Sequence, residues 1–394
     1  MPSHTGVPIT AAFLLLALAA RPDVSGGRDA APVPQAAQTN AAPKPKKTPA
    51  EKMAESWPDD ATLAKRRADA EARRLFQSAD PLPFTLAADF SAVNQDRRRN
   101  STKTFPASLT VAGRDGAARA IPVLLRTRGN IRLDSRVCAF VPLSIEFPKN
   151  VVNGTAFDGQ RKLKLITHCQ DEEDYDQGVL KEYLAYRLFN LITPRSFRVR
   201  LAKATYVDSR NGKTMSSHDA VFIEDEDDLA RRLEGRAVAI PHTVFVNYDL
   251  DALTTMMVFQ YMIGNTDFSI YALHNVKIVQ TRFRPLYPIV WDFDVSGLVA
   301  PSYGAPDPRL GLPSLLERRY RGPCRTLEAF EPTFAAFRAK EAESMALVDS
   351  VPGLRQWHRN LVRQFLANFY AALGRKEALK KAFVDRCKPA ANTM

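Results

Sequence analysis

Apolar and polar residues alternate through much of the first half of the chain. Between residues 83 and 147, four stretches show the period-two alternation or the short apolar runs that are typical of β-strands. A further strand is predicted at Arg161–Thr167, and two more over residues 196–208 and 218–225. The pattern therefore predicts a β-rich segment over residues 81–225.

Helical patterns dominate later. Residues 178–192 are apolar on nearly every side, which predicts a buried helix that follows an acidic loop at 171–176. Residues 249–263 form a second long apolar helix, whose first residue is an aspartate suited to cap it. Two short strands, Val276–Gln280 and Leu286–Trp291, are predicted to follow as a hairpin.

The order of these elements predicts an α+β protein with two lobes. Residues 81–225 form a β-rich N-lobe, and residues 226–394 form a mainly helical C-lobe that carries the hairpin. Residues 59–80 are predicted to be a peripheral helix. The Ala- and Pro-rich segment 21–58 lacks an apolar period and is predicted to be a disordered linker.

The N-terminus has the pattern of a signal peptide. Ile9–Ala20 is an apolar run of about a dozen residues, shorter than the roughly 20 that a membrane-spanning helix needs. Ala17-Leu18-Ala19 fits a small-x-small cleavage site. Residues 1–20 are thus predicted to be a signal peptide and the protein to be exported, to the periplasm, the cell envelope or the medium. No second membrane span is predicted.

Composition narrows the class of protein. The 394 residues are 45% hydrophobic and 25% charged, which is typical of a globular chain. The net charge of +12 is not concentrated in residues 1–80, where basic and acidic side chains nearly balance. A basic arm for nucleic acid is therefore not predicted, whereas an anionic small molecule or an acidic surface fits the charge.

Three polar residues surround the predicted hairpin. Asp267 lies in the loop before it, Asn275 immediately precedes its first strand, and Asp292 immediately follows its second. The start of one antiparallel strand lies beside the end of its partner, so Asn275 and Asp292 are expected to meet. A phosphoryl-transfer site needs such groups: one carboxylate to orient a nucleophile, and an amide oxygen and a carboxylate to hold magnesium. Asp294 is an alternative ligand, a ligand for a second ion, or a cap.

Such a site also needs a cation on the phosphates, held by a glutamate. Lys162 and Lys164 share one face of their strand, so the register does not choose between them. Glu182 lies within the buried helix, where a carboxylate needs a partner. Lys164–Glu182 is the preferred pair. The alternative is a solvated lysine and a glutamate at the helix margin.

Arginines follow an earlier strand. Arg126, Arg128 and Arg132 surround a Gly129-Asn130 turn. Their guanidinium groups and the backbone amides of the turn are suited to close over phosphates.

With these residues assembled, the chain resembles the CotH family of bacterial secretory kinase-like proteins, which belongs to the atypical protein kinases. The resemblance is discontinuous over roughly residues 83–300, and its later motifs are Gly264-Asn265-Thr266-Asp267, His274-Asn275 and Asp292-Phe293-Asp294. The earlier motifs are Arg126-x-Arg128-Gly129, Lys162-Leu163-Lys164 and Glu182-Tyr183-Leu184.

The resemblance implies a two-lobed, protein-kinase-like fold and a role for each matched residue. Asp267 would be the catalytic aspartate, and Asn275 and Asp292 the magnesium ligands. Lys164 would contact the nucleotide phosphates with Glu182 as its partner. Phe222-Ile223-Glu224 falls where such proteins pass the adenine, which adds Glu224 to the nucleotide-binding residues.

The function that follows is an exported kinase that transfers the γ-phosphoryl of ATP to a protein hydroxyl with Mg²⁺ or Mn²⁺. The main alternative is a catalytically inactive module that binds partners in the envelope or at the surface. A metal site of a nucleotide-sugar glycosyltransferase at Asp292 and Asp294 ranks last, because the chain lacks the alternating βα pattern of those enzymes.

The chain has four cysteines, an even number that suits two disulfides in an exported protein. A Cys138–Cys169 bridge would pin the arginine turn to the lysine strand, and Cys324–Cys387 would tie the C-terminal helices together. A zinc site is not predicted, because the cysteines are far apart and His168-Cys169 has no second pair nearby in sequence. His274 is interpreted as structural.

Overall fold

All but one of the described strands form where the apolar pattern predicts them. The structure, a computed structural model, describes residues 47–149, 151–283 and 286–387. Its strands are β1 (Leu82–Ala88), β2 (Phe105–Ala112), β3 (Ala118–Thr127), β4 (Leu143–Glu146), β5 (Lys162–Ile166), β6 (Val199–Asp208), β7 (Thr214–Ile223), β8 (Gly235–Val238), β9 (Val276–Thr281) and β10 (Leu286–Val290). Of these, β8 is too short and too polar at its start to be predicted from its pattern.

Helices connect and follow the strands. They are α1 (Pro49–Ala54), α2 (Asp60–Glu71), α3 (Phe90–Gln95), α4 (Glu173–Ile192), α5 (Glu226–Arg232), α6 (Leu250–Met262), α7 (Leu327–Arg338), α8 (Glu341–Ser350), α9 (Gln356–Leu373) and α10 (Lys376–Leu379). A π-helical turn at Lys380–Val384 continues α10. The described residues from Lys47 to Cys387 belong to one compact unit by their contacts.

The first seven strands close into a barrel in the order β1-β2-β3-β4-β5-β7-β6. All neighbours are antiparallel except β1 and β6, which run parallel from Leu82↔Ala202 to Ala88↔Asp208. Alternate residues point inward, and the rings of Phe84 and Phe222 meet in the interior with centroids 5.1 Å apart. A closed barrel leaves none of these strands as an unpaired edge.

The predicted two-lobed, kinase-like fold with a helical C-lobe is therefore wrong. The structure is a closed seven-stranded barrel in a chain of mixed α and β content. The second half adds a three-stranded sheet, β10-β9-β8, to its helices. Local alternation shows where strands lie but not which strands pair, and the parallel β1–β6 pairing that closes the barrel joins segments more than 110 residues apart.

A second apolar core lies outside the barrel. Helix α4 packs on the outer faces of β6 and β7, and its aromatic side chains meet those of α6 and of the segment after β10. The rings of Phe189 and Phe259 stack with centroids 4.3 Å apart, and Phe293 packs edge-on against Tyr186 at 4.7 Å. This core sets the position of α4 relative to the β9–β10 hairpin.

The starts of two helices follow from their first residues. Helix α6 is capped as predicted, since the Asp249 side chain accepts a hydrogen bond from the Ala252 amide at 2.8 Å. Helix α4 begins five residues earlier than predicted, because Glu173, Asp174 and Asp176 belong to its first turn rather than to a loop. Carboxylates there are favoured by the positive end of the helix dipole.

Several predictions concern the N-terminal region. The predicted signal peptide, residues 1–20, lies outside the described residues, as does most of the predicted linker 21–58. Within its last part, α1 is capped by a reciprocal pair of hydrogen bonds between Thr48 and Glu51. Within residues 59–80, the predicted peripheral helix, helix α2 covers Asp60–Glu71 and is capped by Asp59, and a separate helical turn follows at Arg74–Phe76.

Both predicted disulfides are confirmed. Cys138 is bonded to Cys169, and Cys324 is bonded to Cys387. Disulfides are typical of proteins that fold in an oxidising compartment. Among the helices that the structure describes, none has the length and apolar character needed to cross a membrane.

We expect the Cys324–Cys387 bridge to stabilise the C-terminal helices strongly, because it closes a 63-residue separation in the unfolded chain. Replacing both cysteines by alanine should lower the free energy of unfolding by about 4 kcal/mol. The same exchange at Cys138 and Cys169, which are 31 residues apart, should cost slightly less. Urea denaturation measures both losses. Unfolding midpoints equal to that of the wild type would contradict the prediction.

Candidate functional site

The β9–β10 hairpin brings Asn275 and Asp292 together. Val276 lies opposite Val290 in the ladder, and the Trp291 amide donates to the Asn275 carbonyl at 3.1 Å. Asp292 is the next residue, so the two side chains start from adjacent positions at the open end of the hairpin. Both residues have left-handed backbones, with φ of 53° and 64°. Non-glycine residues in this region are uncommon and often lie at functional sites.

Asp267 is held by its neighbours in the same loop. The Asn275 side-chain amide donates to the Asp267 backbone carbonyl at 2.8 Å and to its carboxylate Oδ2 at 3.1 Å. His274 Nε2 donates to the other oxygen, Oδ1, at 2.8 Å. Because the amide nitrogen of Asn275 is turned toward Asp267, its amide oxygen is the atom that is available to a cation.

Three carboxylates lie close together beside this loop. Glu182 of α4 is 2% exposed, and its Oε1 has no hydrogen-bond partner among the described residues. Burial first, and then the Asp294 and Asp292 carboxylates, raise the pKa of Glu182 well above its usual value. Burial and the Asp292 carboxylate likewise raise the pKa of Asp294 to about 7. Like charges gathered in a desolvated place require protons or a cation.

Arginines face this acidic cluster from the barrel. Arg132, in a short helical turn after β3, partly offsets the pKa rise of both Glu182 and Asp294. Arg128 also lowers the pKa of Glu182, and its guanidinium is anchored on the carbonyls of Leu143 and Leu165 at 3.0 and 3.2 Å. The predicted arginine cluster is thus divided. Arg126 instead pairs with Glu146 at 3.2 Å on the outer face of the barrel.

The two candidate lysines have different surroundings. Lys162 is exposed, whereas the Lys164 amine lies 4.7 Å from the centre of the Trp291 ring. Trp291 is the residue that immediately precedes Asp292. Burial is the main cause that lowers the pKa of Lys164 to about 8. Among the described residues, no ion pair joins Lys164 to Glu182. The charges that raise the pKa of Glu182 are those of Asp294 and Asp292.

Glu224 is engaged with other partners. Its carboxylate is completely buried and is held by two arginines, with Oε1 2.9 Å from Arg198 Nε and Oε2 2.8 Å from Arg232 Nη2. Both arginines line a nearby cavity of about 350 Å³, together with Phe76 and Arg187. The Glu224 side chain therefore has its hydrogen bonds satisfied by the protein itself.

Sequence reasoning missed two side chains of the site. Tyr303 donates to Asp294 Oδ2 at 3.2 Å, and the Tyr186 hydroxyl accepts from the Asp292 amide at 2.8 Å. Neither tyrosine has a sequence signal, because each reaches the site through packing. His274 was noticed but interpreted as structural. Its contact with Asp267 is the main cause that raises the pKa of His274, and its place beside Asn275 in the quoted motif was the available signal.

The pKa of Asp294 leads to a stability prediction. Its folded-state pKa of about 7 exceeds the ordinary 3.8, so the unfolded carboxyl ionises first as the pH rises. Stability should therefore fall between about pH 4 and pH 7. The Asp294→Asn variant, which cannot ionise, should be more stable than the wild type at pH 8, by an amount on the order of 2 kcal/mol. At pH 4 the two should be similar.

Thermal or urea unfolding across this pH range, without divalent cations, measures the effect. Glu172→Gln is the matched control, because it removes one exposed carboxylate from the N-cap position of α4, where its side chain caps nothing. Parallel pH profiles for wild type and Asp294→Asn would contradict the prediction.

Comparison with known proteins adds no relative. No protein-family model matches the chain, and a search of curated proteins finds no match. The resemblance to the CotH family accordingly rests on the quoted residues alone.

Proposed function

We propose that this protein is a phosphotransferase dependent on a divalent cation, which transfers the γ-phosphoryl of ATP to a hydroxyl of a protein. The observation that carries the proposal is the acidic cluster of Glu182, Asp292 and Asp294, lying beside Asp267 and faced by basic side chains. Phosphoryl transfer relies on positioning and on charge neutralisation, and both kinds of group are present.

The carboxylates supply the cation site. Asp292 and Asp294 raise the pKa of Glu182, so the cluster carries more negative charge than its surroundings stabilise. Mg²⁺ and Mn²⁺ prefer oxygen ligands and would relieve this repulsion. We assign Asp292 and Asp294 as ligands, with the amide oxygen of Asn275 as a third. Glu182 belongs to this acidic cluster in our proposal, rather than serving as the partner of Lys164.

Basic side chains supply the phosphate contacts. Lys164 and Arg128 both lie near the Trp291 ring, with the amine 4.7 Å and the guanidinium carbon 5.9 Å from its centre. Both side chains therefore lie close to Trp291, the residue before Asp292. In this position they are suited to bind the phosphates that the cation also contacts. Lys162, which is exposed on the same strand, has no part in this arrangement.

Asp267 is assigned to the acceptor hydroxyl. A carboxylate in this role accepts the hydrogen bond of the hydroxyl and orients its oxygen toward the phosphorus. His274 and Asn275 contact both carboxylate oxygens and so set its orientation. His274 is a positioning residue in this proposal, because it acts through Asp267.

The proposed setting is outside the cytoplasm, supported by the two disulfides and by the apolar run at Ile9–Ala20. ATP is scarce there, so a kinase in this setting needs a nucleotide source. The second candidate function, a non-catalytic binding module, is favoured by one observation, namely the missing Lys164–Glu182 ion pair. Nucleotide binding and phosphate transfer, measured separately, distinguish the two functions.

The first test is transfer of label from γ-labelled ATP, with Mg²⁺ or Mn²⁺, to the protein itself and to a mixture of unfolded acceptor proteins. Asp267→Asn and Asp292→Asn should each lower the rate by at least about 100-fold, since one loses the orienting carboxylate and the other a cation ligand. Glu172→Gln should label like the wild type. If both aspartate variants are labelled at the wild-type rate and have the wild-type melting temperature, the assignment is wrong.

The second test measures nucleotide binding alone, through the thermal shift produced by Mg-ATP. A ligand at a hundredfold excess over its dissociation constant stabilises the folded state by about 2.7 kcal/mol. Lys164→Met should lose most of the shift, whereas Lys162→Met, two residues away on the same strand, should keep it. If the wild type shows no shift with any Mg- or Mn-nucleotide, the protein does not bind nucleotide and the binding-module function is favoured.

A further inference from the structure

Two histidines and an aspartate meet at a second place, which the proposed phosphotransfer does not use. His168 follows β5, His218 lies in β7, and Asp171 precedes α4. Oδ1 of Asp171 is 3.6 Å from His168 Nε2 and 3.4 Å from His218 Nε2. The histidines are 1% and 5% exposed, whereas the Asp171 side chain is 80% exposed. The two histidines are therefore buried, and the group is open to solvent only on the side of Asp171.

The hydrogen bond of His218 determines which of its ring nitrogens faces Asp171 with a lone pair. Its Nδ1 lies 3.1 Å from Asp176 Oδ1, and because a carboxylate accepts, Nδ1 must carry the proton. In the neutral ring Nε2 is then an acceptor. It is buried without a hydrogen-bond partner among the described residues and faces the Asp171 carboxylate. Two acceptors that face each other need a cation or a proton between them.

His168 is held in place by its surroundings. Its ring lies between Phe140, with centroids 4.3 Å apart, and His218 at 3.8 Å. Its carbonyl accepts from Arg132 Nη2 at 2.9 Å, and the next residue is half of the Cys138–Cys169 disulfide. A neutral, fixed imidazole is the form that binds metals.

We propose that His168, His218 and Asp171 bind a transition-metal ion, with Zn²⁺ the best fit. Two imidazoles and one carboxylate form a common zinc ligand set, which leaves a fourth position for water. Ligand atoms around tetrahedral zinc are about 3.3 Å apart, given bonds of about 2.0–2.1 Å. The distances of 3.4 and 3.6 Å from Asp171 to the two rings are close to this value.

Asp176 acts as a positioning residue for this ion. A carboxylate on the far nitrogen of a metal-bound histidine fixes the ring orientation and strengthens the ligand, and its loss typically weakens metal binding 10- to 100-fold. The two rings are nearly parallel, with 16° between their planes. Their lone pairs converge only if the planes tilt apart, so metal binding should open the stack and shift the ring proton resonances of both histidines.

The test is a Zn²⁺ titration of untagged full-length protein in competition with a chromophoric chelator, with excess Mg²⁺ present to occupy oxygen-ligand sites. The wild type should bind one Zn²⁺ per chain at this site. Asp171→Asn should weaken binding at least about tenfold, and Asp176→Asn should weaken it 10- to 100-fold. Because Asp171 is exposed, its variant should fold normally, which circular dichroism verifies.

Two controls make the result specific. Glu172→Gln removes a neighbouring exposed carboxylate and should bind Zn²⁺ like the wild type. Co²⁺ should give the intense visible absorption of a tetrahedral site in the wild type and lose it in Asp171→Asn. Zn²⁺ affinities that are equal in the wild type and Asp171→Asn would overturn the proposal. So would a wild type that shows only a protonated His218 by NMR and binds no Zn²⁺.

Discussion

The parallel pairing of β1 with β6 is the interaction on which the rest of the structure depends. It closes the barrel and thereby determines which faces of β5, β6 and β7 point outward. The outward faces carry the apolar surface on which α4 packs, and α4 carries Glu182. The same outward face of β5 directs Lys164 toward the hairpin. The closure of the barrel therefore fixes the positions of both Glu182 and Lys164, although both side chains lie outside the barrel.

Arg132 connects the barrel with the acidic cluster. Its guanidinium donates to the carbonyls of Thr167 and His168 at 2.6 and 2.9 Å, and its charge opposes the pKa rise of Glu182 and Asp294. A buried cation of this kind is costly unless it is paired and hydrogen-bonded. The carbonyls hold it in position, and the carboxylates supply the opposite charge. Arg132 therefore contacts the backbone of one histidine of the pair and also lowers the pKa values of the acidic cluster.

Local features were largely predictable from the sequence, and long-range pairings were not. The alternation located most strands, and the hairpin argument placed Asn275 beside Asp292, because antiparallel geometry relates positions that are near in sequence. The closing β1–β6 pair leaves no local signal, so the two-lobed fold was wrong. The pairing of His168 with His218 arises from strands β5 and β7, which are adjacent in the barrel but separated by α4 and β6 in the chain. The early start of α4 was missed because its acidic first turn looks like a loop until the dipole is considered.

The left-handed backbones of Asn275 and Asp292 restrict which residues these positions accept. Asparagine, aspartate and glycine adopt this conformation readily, whereas alanine is disfavoured by roughly 1 kcal/mol or more. An alanine scan would therefore combine two effects at these positions, the loss of a ligand and a strained turn. Exchange between asparagine and aspartate keeps the size of the side chain but changes its charge, and at position 275 it also removes the amide that donates to Asp267. Glycine removes the side chain while leaving the turn relaxed. Comparing asparagine, aspartate and glycine at positions 275 and 292 therefore separates the loss of a side-chain contact from strain in the backbone of the turn.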